Sequence, residues 1–190
     1  KETVVNVLKN LGLNEDDKYC IVHPGSGGSA MDWPLKFYAV ASDLISNDLD
    51  IPVLVSWGPS EKHLADKLIG STRKNVIALP EVMTLPELAA LLEKAEFLLA
   101  PSTGILHLGH IVGTKVIGLY PPIPHEAPVR WGPYGKEDEM LVPDKNQCTV
   151  CNGEKCKNLS CLELITPEIV LNSARKIYNE KDVKKKLSPV

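Results

Sequence analysis

The sequence lacks a surplus of charge, a long apolar run and an opening methionine, and each absence narrows what the chain can be. Lys and Arg number 21 and Asp and Glu 24, a net charge of −3 over 190 residues. A protein that wraps a polyanion needs a clustered basic excess, so nucleic acid is excluded as the expected partner. The one basic cluster is Lys181, Lys184, Lys185 and Lys186. It reads as a solvated basic tail over residues 181–190, or as a peripheral contact with a membrane surface. No stretch approaches the roughly 20 apolar residues that span a bilayer. The chain opens Lys1-Glu2-Thr3, with neither Met nor a signal-peptide apolar region, as expected of a piece of a longer protein. Internal repeats and low-complexity tracts are also missing.

What is present is alternation. Val-, Ile- and Leu-rich runs at Tyr19–His23, Ile51–Ser56, Val76–Leu79, Phe97–Ala100, Lys115–Tyr120 and Glu139–Val142 predict strands. Helical periods lie between them: one opened by Pro34 at its first position, one over Ser60–Ile69, one behind the capping box Thr84-Leu85-Pro86-Glu87, one over Thr103–Val112. A last helix opens at Thr166-Pro167-Glu168 and runs to about Asn179. Strands that are continuously apolar are buried on both faces, which implies an α/β fold with a doubly wound, mainly parallel sheet. Residues 1–14, with Val4, Val5, Leu8 and Leu11 at helical spacing, predict a lead-in helix from a missing upstream domain; residues 15–180 form the domain itself.

In such sheets ligands sit beyond the carboxyl ends of the strands. Three loops there carry suitable residues. His23-Pro24-Gly25-Ser26-Gly27-Gly28-Ser29 follows the first strand, and its glycines let backbone N–H groups approach an anion; it lacks the Gly-Lys-Ser/Thr ending of a P-loop, and a turn without ligand is the alternative. Pro101-Ser102-Thr103-Gly104-Ile105-Leu106-His107 opens a short helix whose start can take a pyrophosphate, with His107 one turn on; the alternative is a plain N-cap. His110, three residues further, makes only a weak case for a metal. After the second strand, Glu61 is placed either to accept from ribose hydroxyls or as a favourable charge in a helix's first turn.

Cysteine use is lopsided. Cys20 lies in an apolar run as a small hydrophobe. Cys148, Cys151, Cys156 and Cys161 form C-x2-C-x4-C-x4-C within a Cys-rich loop at 143–162. That unit reads as a structural zinc site of four thiolates, as two disulfides, or as free thiols.

His23-Pro24-Gly25-Ser26 with Trp33-Pro34, Trp57-Gly58 with Glu61, Met83-Thr84-Leu85, Ser102-Thr103-Gly104 with His107-Leu108, Gly118-Leu119-Tyr120 and Arg130-Trp131-Gly132-Pro133-Tyr134-Gly135 occur in the order that resembles the glycosyltransferase family 9 heptosyltransferases. The resemblance spans about Tyr19 to Asn179. It implies one Rossmann-like half, the C-terminal, of a GT-B fold. The implied enzyme is inverting and independent of metal or other cofactor, and moves a heptose or similar sugar from an ADP-heptose-like nucleotide sugar to a lipopolysaccharide-core or lipid-linked acceptor. It would work in the cytoplasm, if anything peripherally at the inner face of the inner membrane. The acceptor site and the general base would belong to the missing N-terminal domain, so the fragment alone would bind donor without transferring it. On that resemblance Ser102, Thr103 and Gly104 meet the pyrophosphate and His107 is a phosphate or supporting partner. Glu61 then holds the ribose, Met83 lies near the base, and Ser26 and Gly27 line the phosphate side of the first loop. Two positions depart from the family pattern: Met31 stands where a Lys is usual and Ser102 where an acidic residue is usual. A non-catalytic nucleotide-sugar-binding module is therefore the runner-up. Another GT-B enzyme such as a sugar-nucleotide epimerase, and an interaction module built on the cysteines, follow behind it.

Overall fold

The computed structural model describes residues 2–73, 75–134, 138–144 and 161–187. Six short strands, β1 (Cys20–Val22), β2 (Val53–Val55), β3 (Val76–Ala78), β4 (Phe97–Pro101), β5 (Lys115–Leu119) and β6 (Glu139–Leu141), make one sheet ordered β3-β2-β1-β4-β5-β6. Every neighbouring pair is parallel, with Val22 in register with Val55 on one side and Leu99 on the other. The helices are α1 (Glu2–Asn10), α2 (Leu35–Leu49), α3 (Lys62–Ile69), α4 (Leu85–Lys94), α5 (Gly104–Ile111), α6 (Pro128–Trp131) and α7 (Pro167–Leu187), with a 3₁₀ turn at Cys161–Leu164. This is the doubly wound, Rossmann-like α/β arrangement that the alternation implied.

The apolar runs resolve into two buried faces because successive strand residues point to opposite sides. Val22, Val55, Leu99 and Ile117 pack with α2 and α7, against Ile45, Val170, Ala174 and Ile177. Ile21, Leu54, Leu98 and Val116 pack on the other face with Val4 and Leu8 of α1, Leu91 and Leu92 of α4, and Leu106 of α5. Helix α5 lies unusually close to the sheet: a Cβ on Gly109 would stand 2.8 Å from Leu98 Cδ2. That contact fixes the height at which α5 starts above the sheet's carboxyl edge.

Local signals mostly place the elements, with informative differences at their ends. Pro34 precedes α2 instead of opening it, because its ψ of 129° is extended. The capping box at α4 forms, Glu87 accepting from the Thr84 backbone N–H at 2.9 Å and from its hydroxyl at 2.7 Å. α3 begins at Lys62, leaving Glu61 at the N-cap position. The last helix runs past Asn179 to Leu187, so the backbone of the expected basic tail is helical through residues 181–187. Trp33 is buried and anchors the segment between β1 and α2: its indole N–H donates to the Ile165 carbonyl at 2.9 Å, and Tyr38 meets its ring edge-on.

The cysteine unit is only partly in view. Cys148, Cys151 and Cys156 lie outside the described residues; Cys161 is buried, its Sγ 3.7 Å from Met31 Sδ. Among the described residues no group of three or more His, Cys, Asp or Glu is placed to hold a metal ion.

Candidate functional site

The strand order reverses between β1 and β4, so the chains leaving these two neighbours wind in opposite directions and a crevice opens between their loops. Two adjoining cavities occupy it. One, about 370 Å³, is bounded by Ser102, Pro121, Glu126 and Trp131. The other, about 470 Å³, is bounded by Gly25, Ser26, Gly27, Gly58, Glu61 and Leu85. Ser29, Thr103, Gly104 and His107 line both and form the saddle between them.

The α5 side of the saddle is built to receive hydrogen-bond acceptors. Thr103 occupies the N-cap position in extended conformation, φ −130° and ψ 171°, yet its hydroxyl makes no cap bond. Its Oγ1 is buried and has no hydrogen-bond partner. A buried hydroxyl left unpaired costs about 1–3 kcal/mol, so such an atom marks a place where a ligand completes the structure. Helix geometry also leaves the first-turn N–H groups without intrahelical partners, and the dipole favours an anion there. Gly104 keeps the approach open, since a Cβ there would meet nothing within 4 Å. His107 lies one turn on, partly exposed to the same saddle.

The glycine-rich loop is used differently from what its composition suggests. Gly27 and Gly28 take φ of +56° and +79°, which turns the chain tightly. The N–H groups so presented are spent within the protein: Gly27 donates to Glu61 Oε1 at 2.8 Å, Gly28 to Ser26 Oγ at 3.1 Å, and Ser29 to the Ser26 carbonyl at 2.9 Å. Ser26 Oγ itself donates to Asp32 at 2.7 Å. The loop supplies a shaped wall.

Glu61 is 9% exposed, its second carboxylate oxygen accepting from the Gly58 N–H at 3.0 Å. Behind it His23 is buried, Nδ1 at 2.9 Å from Ser56 Oγ and Nε2 at 3.8 Å from Glu61 Oε2. Burial lowers the His23 pKa below its ordinary 6.5, with the Glu61 charge opposing the shift, so this imidazole is neutral at pH 7.

Other contacts around the crevice were silent in the sequence. Pro121 and Glu126, on the segment after β5, line the first cavity. The Tyr120 hydroxyl donates to the Trp131 carbonyl at 2.9 Å, and the Trp131 indole N–H to the His125 carbonyl at 2.9 Å. Burial raises the Tyr120 pKa, opposed by a hydrogen bond with Ser102. His110 pairs at 2.6 Å with Asp138, which also accepts from the Val116 N–H and so ties α5 to β5 and β6. The structure brings Ser26, Gly27, Glu61, Ser102, Thr103, Gly104 and His107 to one crevice; Met83 lines neither cavity and packs against the α4 side of the core. At the position where the resemblance implies a lysine, Met31 lies against the core and Cys161.

Comparison with known proteins agrees with this architecture. The family model described as Glycosyltransferase family 9 (heptosyltransferase) matches residues 5–162. A Haemophilus influenzae protein described in general terms as a glycosyltransferase is 33% identical over 139 residues, which are 73% of this chain and 40% of that protein. A glycosyl transferase family 9 structure from Veillonella parvula superposes with a TM-score of 0.81 at 21% identity, over 95% of this chain and 52% of that one. The E. coli heptosyltransferase WaaC with ADP superposes at 0.68 and 23% identity, over 92% of this chain and 48% of that one. The chain thus spans about half the length, or less, of these relatives.

Proposed function

Because the chain belongs to glycosyltransferase family 9, we propose that it is the donor-binding half of a glycosyltransferase and that the crevice between β1 and β4 takes a nucleotide sugar. The observation that carries this is the orphaned Thr103 hydroxyl at the start of α5, on the saddle between two cavities. A nucleoside diphosphate sugar has the matching form: two bulky ends joined by a diphosphate. The diphosphate would lie on Thr103, the first N–H groups of α5, and His107, with Ser102 and Gly104 beside it. The nucleoside would enter the cavity of Glu61, whose carboxylate has lone pairs left for ribose hydroxyls, with Ser26 and Gly27 as its wall and Met83 beyond. The donor class is an ADP-heptose-like sugar, since a relative of the same fold is a heptosyltransferase with ADP.

In the reaction we propose, a base on a second domain deprotonates a hydroxyl of a lipopolysaccharide-core or other lipid-linked acceptor. The resulting oxygen attacks the anomeric carbon with inversion, and the diphosphate departs onto the α5 N-terminus, which stabilises its growing charge. No metal is needed for that step, and the chemistry belongs on the cytoplasmic side, where nucleotide sugars are made. Among the described residues no helix is long and apolar enough to cross a membrane.

Calorimetric titration of the 190-residue chain with ADP and ADP-heptose tests the donor site. Saturable 1:1 binding is expected; absence of heat with ADP, UDP or GDP sugars at millimolar ligand removes the reading. A second reading, a binding module without transfer, is favoured by one observation: among the described residues neither cavity is lined by Lys or Arg, and Met31 packs inward. Full-length protein that binds donor yet glycosylates no lipid-linked acceptor would establish it.

A further inference from the structure

Glu61 is seated in a way that a ribose-binding role alone does not require. Its two oxygens are shared out between two loops, Oε1 to the Gly27 N–H of the β1–α2 loop and Oε2 to the Gly58 N–H of the β2–α3 loop. The room for it is made by glycine. A Cβ on Gly25 would stand 2.1 Å from Glu61 Oε2, and one on Gly58 would stand 2.8 Å from the same atom. Neither Gly25 nor Gly58 has positive φ, and the atoms nearest an added Cβ at either position are those of the Glu61 side chain. On the far side stands the buried His23 imidazole. Its Nδ1 lies 2.9 Å from Ser56 Oγ and its Nε2 faces the carboxylate across 3.8 Å. A charge taken out of water is retained only where donors meet it, and here the Gly27 and Gly58 N–H groups, one from each loop, do so.

We propose that Glu61 is a positioning residue for the donor diphosphate: it locks the glycine-rich loop to the β2–α3 loop and thereby holds Ser29 opposite Thr103 across the saddle, with His23, Gly25 and Gly58 shaping its seat. The proposal rests on the donor-site reading above and deepens it. A carboxylate that only held ribose would leave the diphosphate subsite unaffected by its removal. A carboxylate that holds the wall does not.

Inorganic pyrophosphate, which has no ribose, separates the two roles. Binding of pyrophosphate and of ADP is measured for the 190-residue chain, for Glu61→Gln and for Gly25→Ala, which keeps the carboxylate but pushes it from its seat. Each variant is expected to lose about tenfold for both ligands, the scale of one hydrogen bond to a charged group. Amide exchange at Gly27 is expected to accelerate in both variants while the main melting transition is kept. Unchanged pyrophosphate affinity with weakened ADP overturns the proposal in favour of a ribose role, and unchanged Gly27 exchange overturns the lock. If the unmodified chain binds neither ligand, the donor-site reading fails, and unaltered or accelerated exchange at Gly27 still decides whether Glu61 is the lock.

Discussion

Thr103 carries the plainest conflict between stability and use. Its buried hydroxyl has no partner in the free chain, so Thr103→Val removes a desolvated polar atom at nearly constant volume and is expected to leave stability unchanged or to raise it by about 1 kcal/mol. The same change should weaken ADP binding severalfold. Urea unfolding and titration of one preparation check both, and a valine variant that binds ADP at full strength would remove Thr103 from the site. His23 gives a pH signature. Its folded pKa is depressed by burial, so as pH falls through the ordinary value near 6.5 the unfolded chain takes up the proton first. Stability from this group is therefore complete above pH 6.5 and declines below it, by at most about 1.4 kcal/mol per pH unit, until the folded imidazole also titrates. His23→Asn should show a smaller fall in urea midpoint between pH 7.5 and 5.5 than the unmodified chain; equal falls would mean that His23 is not buried neutral. Residue types at 23, 61 and 103 were legible as polar groups in loops. Their partners were not, because Gly27 and Glu61 meet across a separation that only the sheet order closes.

At the scale of elements, the most instructive is α1. Its apolar spacing predicted a helix arriving from elsewhere, and Val4 and Leu8 are in fact buried within this domain's own core, at 1% and 0% exposure. Leu8→Ala should then cost about 2–4 kcal/mol, measured by chemical denaturation, as for a leucine removed from a packed interior. A cost under about 0.5 kcal/mol, typical of surface sites, would show that α1 is not packed. Capping chemistry and apolar period located α4 closely, since both signals lie within the helix itself. The same signals misjudged the end of α7: its last turns carry Lys181, Lys184, Lys185 and Lys186, and a helix of good helix formers continues without needing apolar residues on every turn. At α5 the sequence showed the cap residue types, while the structure shows that the cap bond is not made.

For the molecule as a whole, a ligand that binds the folded chain and not the unfolded one must raise its stability by mass action. ADP at one hundred times its dissociation constant should add about 2.7 kcal/mol, read as a rise in melting temperature that grows with ligand concentration. A melting temperature that ignores ADP would contradict the donor site whatever the fold. The chain spans about half of its structural relatives; the proposed reaction assigns the acceptor's base to a second domain. The sequence by itself determined the α/β class, the two-sided burial of the strands and the order of the family motifs. Each of these rests on local periodicity or residue type, and the side-chain period of two converts an apolar run directly into two buried faces. Tertiary structure decided the rest: that β1 and β4 are neighbours and open the crevice between them, that Glu61 is enclosed by Gly25, Gly27 and Gly58, and that Thr103 is left unpaired beside Ser29. Hydrogen bonds between distant loops are fixed only when the sheet brings the strand ends together, and a linear pattern holds no measure of that distance.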